Sequence, residues 1–448
     1  MAVSRDSREL ETKYHIPTVS MGGINVVPYG LNYFPTYVSG MPLRFVAFPF
    51  PFTGMTREVY RSFIEGKDQL SGAPMMQAII DGLTKPLTAH EQMSGPSPQA
   101  KPEPRYLKAD TEDNLRRLFK ERHWTDGSPI ILPTEARVKE MLKGTSHKPD
   151  EMVKIGGPFG NNRPFTVEKV AIIGVMAGAK PSYMPLLLAL STVAPASSST
   201  TSNASMIVVN GPIRKEIDMN SGIGALGPDT EANSVIGRSM NLMSFILKGY
   251  KEGVTSFSSL SNPLRYNNVT IAENEEALPP GWKSYAVQQG YKPTDSVVTV
   301  LSGWNFLNSS GNTVQHYAPQ DMMRDYMGIL AATGAATILM DPSVAVQLHD
   351  IQGFKSKEAL SEWFSKNVTT RAQTYWGSAI AAAVRGPLAR QGLEPYASWL
   401  KVSDDSMIHQ FPDPNRIRQI VVGGNTASVW FATDFTSYGK GILIDDWR

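Results

Sequence analysis

One stretch of the sequence concentrates residue types that bind anions and polar groups. An apolar run ends at Val209, and a loop rich in Gly, Asn and Ser follows it. Such a loop directs backbone N–H groups toward one point, and the helix predicted after it adds partial positive charge. This chemistry suits a carboxylate, a phosphate or the oxyanion of a reaction intermediate. The candidate substrate-binding residues are Asn210, Gly211, Ser221, Gly222, Gly224, Arg238 and Asp126, and Asn220 is a candidate catalytic residue.

The letters GxGxxG at Gly222, Gly224 and Gly227 raise the alternative of a dinucleotide site, which the context does not favour. That fingerprint occupies the tight turn directly after its strand. Here the predicted strand ends well upstream at Val209, and Pro228 follows the third glycine. The loop also lacks the Gly-Lys-Ser/Thr of a P-loop. A structural loop that uses glycine for positive φ angles remains open as the other interpretation.

A second stretch carries three carboxylates within four positions: Glu273, Glu275 and Glu276 follow the apolar run at 269–271. If that run is a strand, Glu273 and Glu275 project from the same face, because side chains alternate along a strand. Clustered carboxylates act as acid–base pairs or hold a hard metal ion. We therefore take Glu273 and Glu275 as catalytic candidates, and Glu273 and Glu276 as ligands of a divalent metal ion. A solvated acidic turn is the alternative.

The composition excludes several other classes of function. The 448 residues contain no cysteine, so this sequence supplies no disulfide, thiolate nucleophile or cysteine-ligated metal centre. Lys and Arg total 43 against 41 Asp and Glu, and a formal charge of +2 does not indicate nucleic-acid binding. No apolar run reaches the ~18 residues that cross a bilayer. We expect a cytoplasmic protein that binds neither nucleic acid nor membrane.

Strands and helices alternate along the chain, which predicts an α/β fold with mixed or parallel sheet layers and flanking helices. The segment at 93–105 holds four prolines and no apolar periodicity, so we predict a linker there. It would separate a small N-terminal α/β module at 1–92 from a large α/β domain at 106–448 that carries the candidate site. No repeat of 20–50 residues is recognisable.

Seven segments of the sequence carry a resemblance to a known family: 124–138, 166–185, 210–213, 220–228, 236–238, 272–276 and 421–424. Together they resemble the UGSC family of (seleno)proteins, named for a selenocysteine/Cys-Gly-Ser-Cys motif. The resemblance spans most of residues 120–430, and an upstream segment at 40–52 resembles the second half of the UGSC module itself. It implies thiol or selenol redox chemistry.

The chain departs from that family where redox groups are expected. The family's motif precedes the segment that aligns with 16–19, and this sequence lacks it. Ala179 stands where a cysteine is expected after Met-Ala-Gly, and no cysteine precedes the glutamate run. Histidines expected near Phe50 and Ala427 are also absent. The redox chemistry that the resemblance implies therefore needs groups from another chain.

Two functions of different classes remain open. In the first, the chain is a subunit of a heteromeric enzyme that acts on a polar or anionic small molecule, and a homologous partner subunit supplies the thiol or selenol. A variant is a homo-oligomer whose carboxylates do the non-redox work of a lyase or hydrolase. In the second, the chain is a non-catalytic structural or regulatory subunit. The retained Asn and Glu residues favour the first function, because a decayed pocket need not keep buried polar loops. The missing cysteines favour the second.

Overall fold

The computed structural model describes residues 13–27, 44–50, 55–89, 105–155, 164–193, 203–247, 258–309, 317–378, 380–437 and 439–448, together with residues 7, 10, 11, 250 and 256. Most of the predicted linker lies outside these residues, as do both ends of the 40–52 segment, so the proposed division into domains stays a prediction. Within them, helices flank mixed parallel and antiparallel sheets. The predicted α/β fold class is confirmed.

The N-terminal part of the chain has a small parallel sheet followed by two helices. Between the helices, the buried Asp68 carboxylate accepts a hydrogen bond from the N–H group of Ala47 in the second strand at 2.7 Å. This hydrogen bond attaches the connection between the two helices to the sheet. The elements are β1 (Val19–Gly23), β2 (Arg44–Phe48), α1 (Arg57–Glu65) and α2 (Met75–Thr84).

Helices and one antiparallel strand pair come next along the chain. Threonine side chains cap several of these helices, because each accepts a hydrogen bond from an N–H group of the first turn. The two apolar helices are almost completely buried, and Pro181 begins the short 3-10 turn between them. The elements are α3 (Glu112–Glu121), α4 (Glu135–Leu142), β3 (Met152–Ile155), β4 (Pro164–Thr166), α5 (Val167–Ala177) and α6 (Met184–Thr192).

The first four-stranded sheet is centred on a strand whose seven residues are all buried, as expected where both faces are covered. Two helices, α7 (Ile213–Glu216) and α8 (Glu231–Ile246), lie in the crossover between its parallel strands. The strands, in sheet order, are β14 (Ile442–Leu443), β7 (Val297–Gly303), β5 (Ala204–Asn210) and β6 (Val269–Ala272).

The second four-stranded sheet has a parallel pair and a crossover of the same kind, with helices α11 (Pro342–Val346) and α12 (Lys357–Asn367). Its strands, in sheet order, are β12 (Ile417–Val421), β9 (Ala336–Met340), β13 (Trp430–Thr433) and β8 (Phe306–Asn308). The remaining elements are α9 (Tyr285–Gln288), α10 (Pro319–Met327), β10 (Thr369–Arg371), α13 (Ala372–Gly377), α14 (Gly386–Arg390), α15 (Tyr396–Trp399) and β11 (Met407–His409).

The two large sheets repeat one connection pattern. In each, a central strand pairs in parallel with the strand after its crossover and antiparallel with the strand after that. The fourth strand comes from the other repeat. Strand β8 continues from β7 but joins the second sheet, and β14 continues from β13 but joins the first. The segment from β5 to β14 therefore contains an internal structural repeat with exchanged edge strands.

The two sheets pack face to face. Their inner faces share one hydrophobic core, in which Val208 and Leu301 of the first sheet meet Leu339 and Ile420 of the second. The outer face of the first sheet packs against α5, α6 and α8, and that of the second against α10, α11 and α12. The layers are therefore helix, sheet, sheet and helix. Among the described residues, no helix combines the length and the apolar character needed to span a bilayer.

Candidate functional site

Glu273 lies where the first sheet meets the crossover of the second. The residue follows β6 directly, and its side chain is fully buried. Its Oε2 accepts hydrogen bonds from Asn210 Nδ2 and from the N–H group of Tyr285, each at 2.7 Å. Its Oε1 accepts a hydrogen bond from Lys357 Nζ at 2.7 Å, and that ammonium group is also fully buried. These partners replace the water that a buried carboxylate loses.

The neighbouring carboxylates of Glu275 and Glu276 share one arginine. The Arg214 guanidinium is almost fully buried and lies 3.2 Å from Glu275 Oε2 and 3.1 Å from Glu276 Oε1. On its other side, Glu275 Oε1 accepts hydrogen bonds from Asn210 Nδ2 at 2.8 Å and from the N–H group of Gly211 at 2.9 Å. Asn210 therefore bridges Glu273 and Glu275. The two glutamates do not share the face of a strand as expected, because β6 ends at Ala272 and Glu275 begins a 3-10 helix (Glu275–Ala277).

The structure thus brings five of the candidate residues into one salt-bridged cluster: Asn210, Gly211, Glu273, Glu275 and Glu276. In the part of the chain that the structure describes, no group of three or more His, Asp and Glu side chains is arranged to hold a metal ion. Both oxygens of the Glu273 carboxylate are occupied and shielded from solvent. This arrangement lends no support to Glu273 and Glu276 as metal ligands or to Glu273 as an acid–base catalyst. It supports a structural role.

The glycine-rich loop is held by Asn220. Its Oδ1 accepts a hydrogen bond from the N–H group of Gly222 at 2.8 Å, and its Nδ2 donates to the Ile223 carbonyl oxygen at 2.9 Å. Gly224, at φ +74°, lines a cavity of about 220 Å³ that is walled mainly by apolar side chains. The Asp341 carboxylate borders the same cavity, and its negative charge disfavours an anion there. The geometry therefore does not support the expected anion site at Ser221 to Gly224.

Asn274 joins the charged cluster to this loop. Its N–H group donates to the Val421 carbonyl oxygen at 2.8 Å, and its Nδ2 donates to the Gly423 carbonyl oxygen at 3.1 Å. The N–H group of Gly423 in turn donates to the Ser221 carbonyl oxygen at 2.8 Å. These contacts connect the ends of β6 and β12. The cluster and the loop together therefore form part of the interface between the two repeats.

Arg238 and Asp126 lie elsewhere, on α8 and on the turn before α4. Arg238 Nε and Nη2 donate to the two carboxylate oxygens of Asp126 at 3.1 and 3.3 Å, and Nη2 also donates to the Pro129 carbonyl oxygen. The sequence predicts that Arg238 and Asp126 both bind substrate, but in the structure they pair with each other. A substrate would have to displace Asp126 to use that guanidinium.

The Asp126 turn borders a cavity of about 630 Å³ near the amino ends of β5 and β6, which we call the Arg265 cavity. Its volume falls within the ~300–1,000 Å³ of small-molecule sites. Arg265 stacks on the ring of Tyr250, with its guanidinium carbon 4.7 Å from the ring centroid. Ser205 Oγ is buried and has no hydrogen-bond partner among the described residues. The residues that line the cavity include Asp126, Ser205, Met240, Asn241, Phe245, Tyr250, Leu260, Ser261, Arg265, Tyr266 and Asn268.

Sequence reasoning missed Lys357, Arg214 and Arg265. Lys357 is 84 residues from Glu273, and no local pattern marks a single lysine at a helix start as buried. Arg214 directly follows the Asn210-Gly-Pro-Ile segment, and this proximity to a candidate site was the one available signal. Arg265 sits in a polar connection before β6, where an arginine is normally solvated.

No protein-family model, curated protein or solved structure matches this chain. The resemblance to the UGSC family therefore remains a hypothesis that rests on the sequence segments alone.

Proposed function

We propose that the chain is the substrate-binding subunit of a cytoplasmic enzyme, and that the Arg265 cavity holds a small molecule with a carboxylate group and an apolar body. The observation that carries the proposal is the Arg265 guanidinium. Among the described residues it has no carboxylate within 4.0 Å, although it lines a cavity large enough for a small molecule. A guanidinium matches a carboxylate with two parallel hydrogen bonds.

The charges around the cavity favour an anionic ligand. Asp126 is the one acidic side chain among the described lining residues, and Arg238 already neutralises it. The charge of Arg265 therefore has no counter-ion among the residues that the structure describes. Stacking on Tyr250 and the hydrogen bond from Nη1 to Ser261 Oγ at 3.4 Å restrain the guanidinium, so less side-chain entropy is lost when an anion binds.

The walls of the cavity favour an apolar body behind the carboxylate. Leu260 and Tyr266 are 94% and 87% exposed, which is unusual for large apolar side chains that border a concavity. Phe245 and Met240 contribute further apolar surface from α8. A ligand that covers these side chains would remove apolar area from water, at roughly 25 cal/mol per Å².

The reacting groups in this proposal belong to another chain. The sequence has no cysteine. Of the two acid–base candidates, Glu273 is buried and Glu275 is paired with Arg214. The resemblance to thiol and selenol proteins motivates a homologous partner subunit as the source of those groups. This chain would then bind and orient the substrate.

Binding of benzoate tests the ligand class, with benzyl alcohol as the neutral probe of the same shape. By isothermal titration calorimetry, benzoate should bind the wild-type protein saturably and benzyl alcohol at least about tenfold more weakly, because a charge-assisted hydrogen bond contributes ~1.5–3 kcal/mol. The Arg265→Gln variant should lose this preference. Equal binding of both probes, or a variant that keeps the preference, would overturn the proposal.

Arg371→Gln is the matched control, because that arginine is 65% exposed and its nearest carboxylate is 3.9 Å away. The control removes the same formal charge from a site remote from the cavity lining. We expect its benzoate affinity to equal that of the wild type. An equal loss in both variants would point to a non-specific effect of net charge and would contradict the assignment to Arg265.

The partner subunit requires a separate measurement. Native mass spectrometry of the protein isolated from its natural source, with elemental analysis of the same sample, should detect a stoichiometric partner that carries cysteine or selenocysteine. A homo-oligomer without such a partner would refute the split redox enzyme. If that homo-oligomer contained a bound divalent metal, a non-redox lyase or hydrolase would be favoured instead.

A further inference from the structure

We propose that a second cavity, between α9 and the amino end of β12, binds a phosphate group, either free or as part of a phosphate ester. This cavity encloses about 350 Å³, and we call it the basic cavity. It is separate from the Arg265 cavity, since the described residues that line the two do not overlap. The proposal does not depend on the proposed function.

The charge of the basic cavity has one sign. Arg416, Arg418 and Lys440 line it, and every charged side chain among its described lining residues is basic. None of the three lies within 4.0 Å of a carboxylate in the part of the chain that the structure describes. By contrast, Arg214 and Arg448 each form ion pairs with two carboxylates.

Such a concentration of charge is unexpected in this protein. The chain has 43 basic and 41 acidic residues. Three cations in one concavity, with no acidic partner among the described residues, are therefore not a consequence of a basic composition. Placing like charges together costs free energy that a bound anion would recover. A phosphate group carries up to two negative charges and several acceptor oxygens, which suits three cations better than a carboxylate does.

Arg418 occupies the floor of the basic cavity and Lys440 its rim. Arg418 belongs to β12 and is partly buried, whereas Lys440 is exposed in the connection between β13 and β14. Tyr285 lines the same floor. Burial raises the pKa of its hydroxyl, and the charge of neighbouring Arg418 opposes that rise, so the tyrosine is neutral and does not compete as an anion.

An unpaired acceptor beside these cations also fits a phosphate. Gln288 lines the basic cavity; its Nε2 donates to Glu358 Oε1 at 3.0 Å, and its Oε1 is buried without a hydrogen-bond partner among the described residues. A rotation of this amide toward the cavity would let a singly protonated phosphate oxygen, or a hydroxyl group of an ester, donate to Oε1. A buried acceptor of this kind is costly to leave unpaired, so a ligand that donates to it binds more tightly.

The test uses glycerol 3-phosphate, inorganic phosphate and glycerol as probes, with binding measured by isothermal titration calorimetry at low salt. Either phosphate probe should bind saturably and glycerol should not. Tighter binding of glycerol 3-phosphate would assign a phosphate ester, and equal or tighter binding of inorganic phosphate would assign the free ion. If neither phosphate probe binds, or if glycerol binds equally well, the proposal is wrong.

Variants locate the binding. In the Arg418→Gln/Lys440→Gln double variant we expect phosphate affinity to fall at least tenfold. The Lys366→Gln/Lys401→Gln control removes the same net charge from exposed positions and should bind as the wild type does. Equal affinity in the two double variants would overturn the proposal.

The single variant Lys440→Gln guards against misfolding of the double variant, because its side chain is exposed. It should fold as the wild type and bind phosphate severalfold more weakly; unchanged affinity would count against the site. Benzoate binding by the Arg418→Gln/Lys440→Gln variant should be unchanged, and so should phosphate binding by Arg265→Gln. These cross-controls test the two proposed binding sites independently of each other.

Discussion

Lys357 and Glu273 form a completely buried ion pair, with Nζ 2.7 Å from Oε1 and both side chains 0% exposed. The lysine begins α12, in the crossover of the second sheet, and the glutamate directly follows β6 of the first sheet. The pair therefore joins the two structural repeats at the carboxyl ends of their parallel strands. Because solvent reaches neither charge, we expect this ion pair to stabilise the packing of the two repeats.

Replacing Lys357 by Met should be among the most destabilising single changes in the chain. The variant leaves the Glu273 carboxylate buried without a counter-ion, which typically lowers the free energy of unfolding by ~3–5 kcal/mol. Adding Glu273→Gln should restore part of that loss, because the remaining amide is neutral. Urea unfolding followed by circular dichroism measures both effects.

Lys366→Met is the control for that experiment, because this lysine lies on the same helix and is 76% exposed. Its free energy of unfolding should stay within about 0.5 kcal/mol of the wild type. If Lys357→Met were no more destabilising than this control, the buried pair would not hold the repeats together.

Acid should weaken the contacts of Glu276. Partial burial acts to raise the pKa of its carboxyl, but the hydrogen bonds from Arg214 and Lys215 outweigh burial and lower that pKa from 4.5 to about 2. A pKa that is lower in the folded state stabilises the fold above the unfolded pKa. That stabilisation is therefore lost as the pH falls from 4.5 toward 2.

The Glu276→Gln variant should accordingly lose less stability than the wild type over this acid range. Urea midpoints measured at a series of pH values give the comparison, and Glu362→Gln serves as the control because Glu362 is 61% exposed. The effect should be modest, since Glu276 is itself 49% exposed and screened by solvent. If the urea midpoints of the Glu276 variant and the wild type fell equally with pH, protonation of Glu276 would not be the cause of the acid destabilisation.

Gly211 is required for a steric reason that Gly290 lacks. Both have positive φ angles, +86° and +94°. A Cβ at Gly211 would lie 2.1 Å from the Asp295 carbonyl oxygen, whereas one at Gly290 would meet no atom within 4 Å. Gly290→Ala should lower the free energy of unfolding by about 1–2 kcal/mol through backbone strain, and Gly211→Ala by about 1–3 kcal/mol more. Equal losses in thermal or urea unfolding would show that the close contact relaxes without cost.

Asp126→Asn should strengthen anion binding in the Arg265 cavity. The change removes a negative charge from the lining and leaves Arg238 without its counter-ion. We expect benzoate affinity to rise about threefold at low salt and the gain to shrink as salt screens the charges. Calorimetric titration at two salt concentrations measures this. An unchanged or weaker affinity would place benzoate away from the Asp126 turn.

The sequence predicted the fold class and named Asn210, Glu273 and Glu275 as candidate site residues, but it did not predict that they contact one another or what they do. Glu273 and Glu275 do lie close together and both accept from Asn210, but not through strand alternation, because both follow β6 and Glu275 begins a 3-10 helix. Their use in ion pairs depended on Lys357 and Arg214. Glu273 and Lys357 meet only through tertiary packing, which local sequence patterns do not reveal.

The internal repeat was hidden for a different reason. Strands β8 and β14 have three and two residues, too few for an alternating pattern to be recognised. The equivalent strand ends also carry different residues, since β5 leads into Asn210-Gly211 and β9 into Asp341. Arg238 and Asp126 illustrate the same limit. The sequence named both as substrate-binding residues, but their pairing across 112 positions is visible only in the fold.

The most direct test of the proposed function is native mass spectrometry of the wild-type, Arg265→Gln and Arg371→Gln proteins, each purified from the organism that makes it. The wild type and the Arg371 variant should retain an anionic small molecule that the Arg265 variant loses. Retention of the same molecule by all three proteins, or its absence from the wild type, would contradict the assignment of the Arg265 cavity as the substrate site.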